Sequence, residues 1–362
     1  MAMKLETSLT KALGCRYPII QTAMGWVATP ELVAASVDSG AFGFLAAAVM
    51  QPAECDQAIR DIKTKTSAPF GVNLHSFQAG VEQIVDSCIE HKVAALSYGR
   101  APSPKIIEKV KGEGIRCVPT IGAAKHAKKA VALGADILVC QGQEGGGHTG
   151  ETPTWLLLSQ VLELDLGVPV VACGGFKDGR GLAAALAYGA DGIAMGTRFL
   201  LTSDSPTPLQ TKEAYLKSVV TNIPVSTKLD GLPQRMIMNE RLRSLESSGR
   251  IGMLVRALVN AWRFKQHMDV SMLDLVRSGI AMARDTDMTL GQTIMAANAP
   301  MIIQQAMVQG SPQDGVLPSG QVAGLIDDLP SCTELIERIV SEAELSLLNI
   351  GAMTRGETEH AI

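Results

Sequence analysis

Eight short apolar runs, spaced about 20–30 residues apart, are the strongest constraint on what this chain can fold into. The runs are continuous rather than alternating, as strands buried on both faces require. An amphipathic stretch follows each run, and the spacing is that of one strand plus one helix. In chain order, the runs are 18–23, 42–46, 70–74, 93–97, 115–120, 137–141, 169–173 and 192–196.

Eight such units within the first 200 residues predict a (β/α)₈ barrel of the TIM type. A doubly wound parallel sheet is the alternative, because it is built from the same units. Signals for helix ends agree with either fold. Thr29 before Pro30 predicts a helix N-cap, and Gly40, Gly134 and Gly189 predict helix ends.

The repeating pattern of strand and helix ends near Ser203. We therefore predict that the chain has three parts. Residues 1–205 would form the barrel, 206–315 a helical lid or substrate subdomain, and 316–362 a segment that returns to the barrel. The helical part is basic, so its arginines could lie on exposed faces of packed helices or line a channel for an anionic substrate. These are Arg235, Arg241, Arg243, Arg250, Arg256 and Arg263.

Charge and composition exclude several classes of protein. The chain has 32 Lys+Arg and 36 Asp+Glu, a net charge of −4, which disfavours nucleic-acid binding. No apolar run reaches the roughly 18 residues of a membrane span, and residues 1–14 lack the apolar core of a secretory signal, so neither is expected. Seven scattered cysteines without a CxxC pair indicate free thiols and no metal cage. We therefore expect a cytoplasmic protein without nucleic-acid or membrane partners, for which a homodimer is a conceivable assembly.

The last two apolar runs end in glycine turns, where barrels of this type bind phosphate. Gly174 and Gly175 follow the seventh run, and Gly196 and Thr197 follow the eighth. Glycines let the backbone approach a ligand, and the amides at a helix start favour an anion. A phosphate site is predicted here, with tight turns alone as the alternative.

The sixth run leads into QGQEGGGHTG, a loop that carries His148. Its glycines match GxGxxG formally, but this is not the first βα turn and no acid ends the next strand. The glycines could instead let a flat ring pass close to the backbone. A neutral imidazole in this loop could accept a proton, or it could only hydrogen-bond a cofactor or the loop.

Other strand ends carry polar groups rather than paired catalytic residues. Asn73 offers both a donor and an acceptor to a heterocycle, although it could equally bond a loop. No Ser–His–Asp order, HExxH motif or Walker loop is present, so an organic cofactor is the economical source of the chemistry. Phosphate-binding turns and polar strand ends favour flavin mononucleotide (FMN).

Six ordered motifs resemble the nitronate monooxygenase family, formerly 2-nitropropane dioxygenases, which are FMN-dependent barrels related to flavin-dependent enoyl-acyl-carrier-protein reductases. They are PIIQTAMGWVA, PFGVN, QGQEGGGHTG, VVACGGFKDGRG, GIAMGTRFL and the late Pro318-Ser319-Gly320-Gln321.

The resemblance implies roles for individual residues. His148 matches the family's general base toward nitroalkanes. The expected cofactor-binding residues are Ala23, Met24, Gly25, Asn73, Thr120, Gln141, Gly146, Gly147, Ala172, Gly174, Gly175, Gly196, Thr197 and Gln321. Within this set, Gly174, Gly175, Gly196 and Thr197 would hold the phosphate, and Gln321 would touch the cofactor from the late segment.

Three functions remain open on the sequence. The first is oxidation of alkyl nitronates or nitroalkanes with O₂ to carbonyl compounds and nitrite, with His148 as base. The second is NAD(P)H-dependent reduction, through FMN, of an enoyl thioester, another acyl thioester or a quinone. The third is a non-catalytic flavin-binding barrel.

Overall fold

A closed barrel of eight parallel strands is the main element of the computed structural model, which describes residues 5–247 and 290–355. Neighbouring strands follow chain order, and the last pairs with the first through Ile20 and Ala194. The predicted (β/α)₈ fold is confirmed, and the doubly wound alternative is wrong. The strands are β1 (Ile19–Gln21), β2 (Phe42–Ala46), β3 (Gly71–Asn73), β4 (Ala95–Tyr98), β5 (Arg116–Ile121), β6 (Leu138–Gln141), β8 (Val170–Cys173) and β9 (Gly192–Met195), while β7 (Gly147–His148) belongs to another sheet.

Helices alternate with the barrel strands and bury one face against them. They are α1 (Ser8–Leu13), α2 (Pro30–Asp38), α3 (Pro52–Lys65), α4 (Val81–Glu90), α5 (Pro104–Gly112), α6 (Ala124–Ala132), α7 (Thr154–Leu162), α8 (Gly179–Ala187) and α9 (Thr197–Leu200). Gly40, Gly134 and Gly189 follow α2, α6 and α8 with φ of 95°, 100° and 105°. Thr29 occupies the N-cap position of α2, but its side chain makes no capping hydrogen bond.

Two apolar layers stabilise the barrel. Inward-facing strand residues such as Phe42, Val118 and Val171 fill its interior. Alternate residues such as Leu45, Val72 and Leu96 pack outward with the helices. Parallel strands are covered on both faces in such a fold, which explains why the sequence shows unbroken apolar runs.

The residues divide into two compact units. The first comprises the described residues up to 145, together with 150–206 and those from 325 onward, which include the long helix α13 (Cys332–Arg355). In this unit α13 packs against α8 at close range. A β-carbon at Gly179 would lie 2.2 Å from the carbonyl oxygen of Ile339, so only glycine permits the contact.

The second unit comprises residues 146–149 and the described part of 207–324. It contains the helices α10 (Leu209–Leu216), α11 (Glu240–Glu246) and α12 (Leu290–Met307). Strands β10 (Val225–Ser226) and β11 (Gln234–Arg235) form an antiparallel sheet with β7. Its core includes Leu229, Met236, Leu242, Ile302 and Val316.

The predicted division at residue 315 differs from these units. Residues 316–324 group with the second unit, because Ile237 donates its backbone N–H to the carbonyl of Leu317 and Met236 bridges Pro318. The returning segment thus begins at Leu325.

The arginines predicted to form a basic surface or channel do not share one environment. Arg235 is buried and donates from Nη1 to the carbonyl of Ile223 at 2.5 Å, so it is not part of an exposed basic face. Arg241 is half-buried and Arg243 is exposed. Arg250, Arg256 and Arg263 lie outside the described residues.

All seven cysteines are free thiols, and six of them are buried. Burial raises the pKa of Cys15, Cys55, Cys140, Cys173 and Cys332 to about 12 and that of Cys117 to about 11. The pKa of Cys88 is also raised well above its usual range by burial.

Within the described residues, no helix is both long enough and apolar enough to cross a membrane.

Candidate flavin site

The predicted phosphate site consists of the turns that follow β8 and β9. Gly174 and Gly175 follow β8 with φ of 104° and 87°, a left-handed conformation that strains any other residue. Gly196 follows β9, where a β-carbon would lie 2.9 Å from Thr22 Oγ1 and 3.3 Å from Met24 Sδ. Both turns therefore depend on glycine, and the one after β9 packs directly against the end of β1.

Three predicted polar side chains lie at or near the carboxyl ends of barrel strands. Asn73 on β3, Thr120 on β5 and Gln141 on β6 are each half-buried. Asn73 donates from Nδ2 to the carbonyl oxygen of Ser97 at 3.1 Å and to its Oγ at 3.0 Å, which fixes the orientation of the amide. Such neutral groups can donate to and accept from the edge of a heterocycle.

The glycine-rich loop after β6 is explained largely by close contacts within the protein. A β-carbon at Gly145 would lie 2.7 Å from Gln141 Nε2, and one at Gly150 would lie 2.6 Å from the carbonyl oxygen of Gly122. In the second unit, Gly146 approaches Gly320, whose nitrogen would be 2.5 Å from an added β-carbon. Protein atoms thus occupy the β-carbon positions of these three glycines, and the approach of a flat ring to the loop backbone stays a prediction. Gly147 instead supplies a positive φ of 66°.

His148 lies on β7 of the second unit and forms a pair with Asp230. Its Nε2 is 2.8 Å from Asp230 Oδ2, and the histidine side chain is 60% exposed whereas the aspartate side chain is 9% exposed. Asp230 is itself held by Gln234 Nε2 at 2.6 Å and by the backbone N–H of Leu232 at 3.0 Å. The pair therefore presents an accessible imidazole supported by a fixed, buried carboxylate.

The charge on Asp230 follows from its partners. Burial alone would raise the pKa of this carboxyl, but hydrogen bonds from His148, Leu232 and Gln234 and the charge of the imidazole outweigh burial and lower it. Asp230 is thus ionised at neutral pH and can stabilise a protonated imidazole. Sequence analysis missed this residue, which lies 82 positions from its partner in a segment without motif or periodicity.

The remaining predicted cofactor residues fall into distinct settings. Ala23, Met24 and Gly25 are half-buried after β1, and Thr197 is buried at the start of α9. Ala172 is wholly buried within β8, so it shapes the core beneath the glycine turn and offers no surface to a ligand. Gln321 lies in the second unit, with Nε2 3.5 Å from the carbonyl of Val220.

The residues of the first unit fit a flavin. Two turns lack β-carbons at the strand ends where phosphate binds in such barrels, and the side chains of Asn73, Thr120 and Gln141 are neutral hydrogen-bonding groups. A phosphate would meet glycine backbone, and a heteroaromatic ring could be bound without a buried charge.

The sequence matches the nitronate monooxygenase family over residues 6–86 and 76–342. The chain belongs to this family. It is accordingly a flavin-dependent oxidoreductase acting on small molecules.

Individual relatives differ in how much of the chain they share. A (3aS,4S,5R,7aS)-5-hydroxy-7a-methyl-1-oxo-octahydro-1H-indene-4-carboxyl-CoA dehydrogenase of Rhodococcus jostii is 47% identical over 96% of this chain and 99% of its own. A probable nitronate monooxygenase of Staphylococcus saprophyticus is 30% identical over 67% of this chain and 81% of its own. Among solved structures, FabK from Thermotoga maritima is 28% identical, with a TM-score of 0.78 over 96% of this chain and 99% of its own.

Proposed function

We propose that this protein is an FMN-dependent dehydrogenase of an acyl-CoA thioester that carries a hydroxylated ring. The observation that carries the chemistry is the pairing of the exposed His148 imidazole with the buried Asp230 carboxylate at 2.8 Å. An imidazole supported in this way can accept a proton from a substrate and is stabilised once protonated. Similarity to a CoA-ester dehydrogenase over nearly the whole of both chains supports the substrate class.

FMN fits the glycine turns after β8 and β9 as the form of flavin. Gly174, Gly175 and Gly196 would hold its phosphate, and Asn73 and Thr120 would contact its ring. When bound, FMN supplies the acceptor for two electrons. The protein itself supplies the base, because His148 would take the proton that the substrate loses as it is oxidised.

A second candidate function is oxidation of alkyl nitronates or nitroalkanes with O₂ to a carbonyl compound and nitrite. The family match and the staphylococcal relative favour it. His148 would serve the same purpose there, removing the proton next to the nitro group. Reduction of an acyl thioester at the same site, the reverse of the proposed dehydrogenation, would need NAD(P)H as an electron donor.

Anaerobic absorbance spectra of the purified holoprotein separate these functions. We expect the flavin band to bleach with a hydroxylated cyclic carboxyl-CoA ester and not with the corresponding free acid. Bleaching by propyl-2-nitronate, with nitrite release in air, would replace the proposal with the second candidate. Bleaching by NADH or NADPH followed by reoxidation with an enoyl-CoA would indicate the reductive direction.

The role of His148 can be tested by His148→Ala. We expect turnover of the substrate identified above to fall by about 10²–10⁴ while FMN stays bound, because a general base contributes that factor. The matched control is His126→Ala, which removes an exposed histidine on α6 and should leave turnover unchanged. An unchanged rate in His148→Ala would exclude the imidazole as the base.

A further inference from the structure

Glu144 and Thr154 form a network of hydrogen bonds beside the turn of Gly174 and Gly175, within the first unit. The Thr154 backbone N–H lies 2.9 Å from Glu144 Oε2 and 3.2 Å from Oε1, and its hydroxyl oxygen lies 2.7 Å from Oε2. The carbonyl oxygens of Gly174 and Cys173 lie 3.0 and 3.3 Å from that hydroxyl. A hydroxyl carries one proton, so Thr154 Oγ1 donates to one of these oxygens at a time, and the carbonyl of Gly174 in the glycine turn is among its acceptors.

Backbone contacts extend this network to the glycine turn. A β-carbon at Gly174 would lie 3.0 Å from Thr154 Oγ1 and 3.1 Å from the nitrogen of Gly145. Gly142 is packed as closely, because its β-carbon would lie 2.3 Å from the nitrogen of Thr154. The loop after β6, the start of α7 and the turn after β8 therefore meet around the Thr154 side chain.

A carboxylate at this position is unexpected on electrostatic grounds. A β-carbon at Gly175 would lie 3.7 Å from Cβ of Glu144, so the acid lies next to the turn assigned to an anion. Two negative charges at close range repel each other, most strongly where water is partly excluded. The observed role of this carboxylate is to accept hydrogen bonds from the backbone N–H and hydroxyl of Thr154.

We infer that Glu144 and Thr154 act together as a clasp that positions the Gly174–Gly175 turn for the flavin phosphate. The inference rests on the FMN site of the proposed function. Both glycines have a positive φ, so the turn depends on its surroundings to keep one conformation. Glu144 and Thr154 supply these surroundings. The Glu144 oxygens are held in place by their hydrogen bonds with Thr154. Glu144 and Thr154 are positioning residues that act on the phosphate through the turn.

The test compares the dissociation constants of FMN and riboflavin, which differ only in the phosphate, for the full chain after flavin removal. We expect wild type to prefer FMN, and Thr154→Val and Glu144→Ala each to reduce that preference about tenfold, the factor for a hydrogen bond to a charged group. Thr154→Ser retains the hydroxyl and should stay within about twofold of wild type. Riboflavin affinity should change little in all three variants.

Glu144→Ala distinguishes the clasp from simple electrostatics, because it removes a negative charge beside the phosphate site. Electrostatics alone would increase the preference for FMN, whereas loss of the clasp decreases it. An unchanged or increased preference in folded Glu144→Ala would overturn the inference. If Thr154→Val does not fold, as judged by circular dichroism, Glu144→Ala decides the question alone.

Two controls complete the design. Ser159 lies on α7, as Thr154 does, and its exposed hydroxyl lies 3.2 Å from Glu163 Oε1. Ser159→Ala removes this hydroxyl and should leave both affinities unchanged. If wild type binds riboflavin as tightly as FMN, the phosphate site itself is wrong and the proposed function fails at that step. If Thr154→Val and Glu144→Ala both prefer FMN over riboflavin as strongly as wild type does, only the clasp is refuted.

Discussion

At the scale of single residues, the proposed chemistry depends on the His148 imidazole, whose Nε2 lies 2.8 Å from the Asp230 carboxylate. His148 is exposed, whereas Asp230 is buried and accepts hydrogen bonds from Gln234 and Leu232. A carboxylate fixed in this way selects one orientation of the ring and stabilises its protonated form. The aspartate would thus matter for catalysis without contacting the substrate.

Asp230→Asn tests this dependence. The amide keeps the shape of the side chain but loses the charge, so we expect kcat/KM to fall by about 10–10³ with little change in FMN affinity. Steady-state kinetics and a flavin titration measure the two effects. The control is Asp165→Asn, which changes an acid in the first unit to which we assign no role in the site. Equal kcat/KM in wild type and Asp230→Asn would show that the carboxylate is not needed.

At the scale of elements, the barrel strands could be predicted and the partner of His148 could not. The runs 42–46 and 137–141 agree with β2 and β6 to within one residue, because strands buried on both faces must be apolar throughout. Asp230 gives no such signal, since the pairing of β11 with β7, which are distant in the chain, brings its segment to His148. The boundary at Leu325 also gave no sequence signal, because it depends on tertiary contacts of residues 316–319 with the second unit, such as that of Ile237 with Leu317.

The packing of α8 against α13 gives a prediction at this scale. Gly179→Ala should destabilise the protein by about 1–3 kcal/mol, because the new methyl group overlaps the backbone of α13. The midpoint of urea unfolding measures the change. Gly112→Ala is the matched control, since this glycine ends α5 and an added β-carbon would meet nothing within 4 Å. Similar midpoints for the two variants would argue against close packing of α8 and α13.

At the scale of the whole molecule, an ion network ties the end of the chain to the last barrel helix. Asp328 accepts from Arg198 Nη1 at 2.8 Å and from Arg338 Nη1 at 2.6 Å, and Arg198 is almost fully buried. Burial alone would raise the pKa of Asp328, but the two arginines outweigh it and lower that pKa. The network thus joins α9 to the segment that begins α13, within the first unit.

Asp328→Asn should lower the free energy of unfolding by about 1–3 kcal/mol at pH 7, because Arg198 loses its charged partner. A carboxyl whose pKa is lowered by folding stabilises the native state above its unfolded pKa of about 3.9. The difference from wild type should therefore shrink as the pH falls below about 4 and through the lower folded pKa. Urea unfolding across pH 3–7 tests this.

Asp86→Asn provides the comparison, because its partner Lys109 is exposed and such a surface pair should contribute less than about 1 kcal/mol. A constant difference between wild type and Asp328→Asn at all pH values would contradict a role for the ionised carboxylate.

The state of the cysteines bears on the products that such an enzyme handles. Unsaturated thioesters and carbonyl compounds are electrophiles that alkylate thiolates. Every thiol of this chain has a raised pKa, so thiolate is scarce at neutral pH, and six of the seven are enclosed by the fold. If the proposed function holds and the products are electrophiles of this kind, burial and the raised pKa protect the thiols of the folded protein from alkylation.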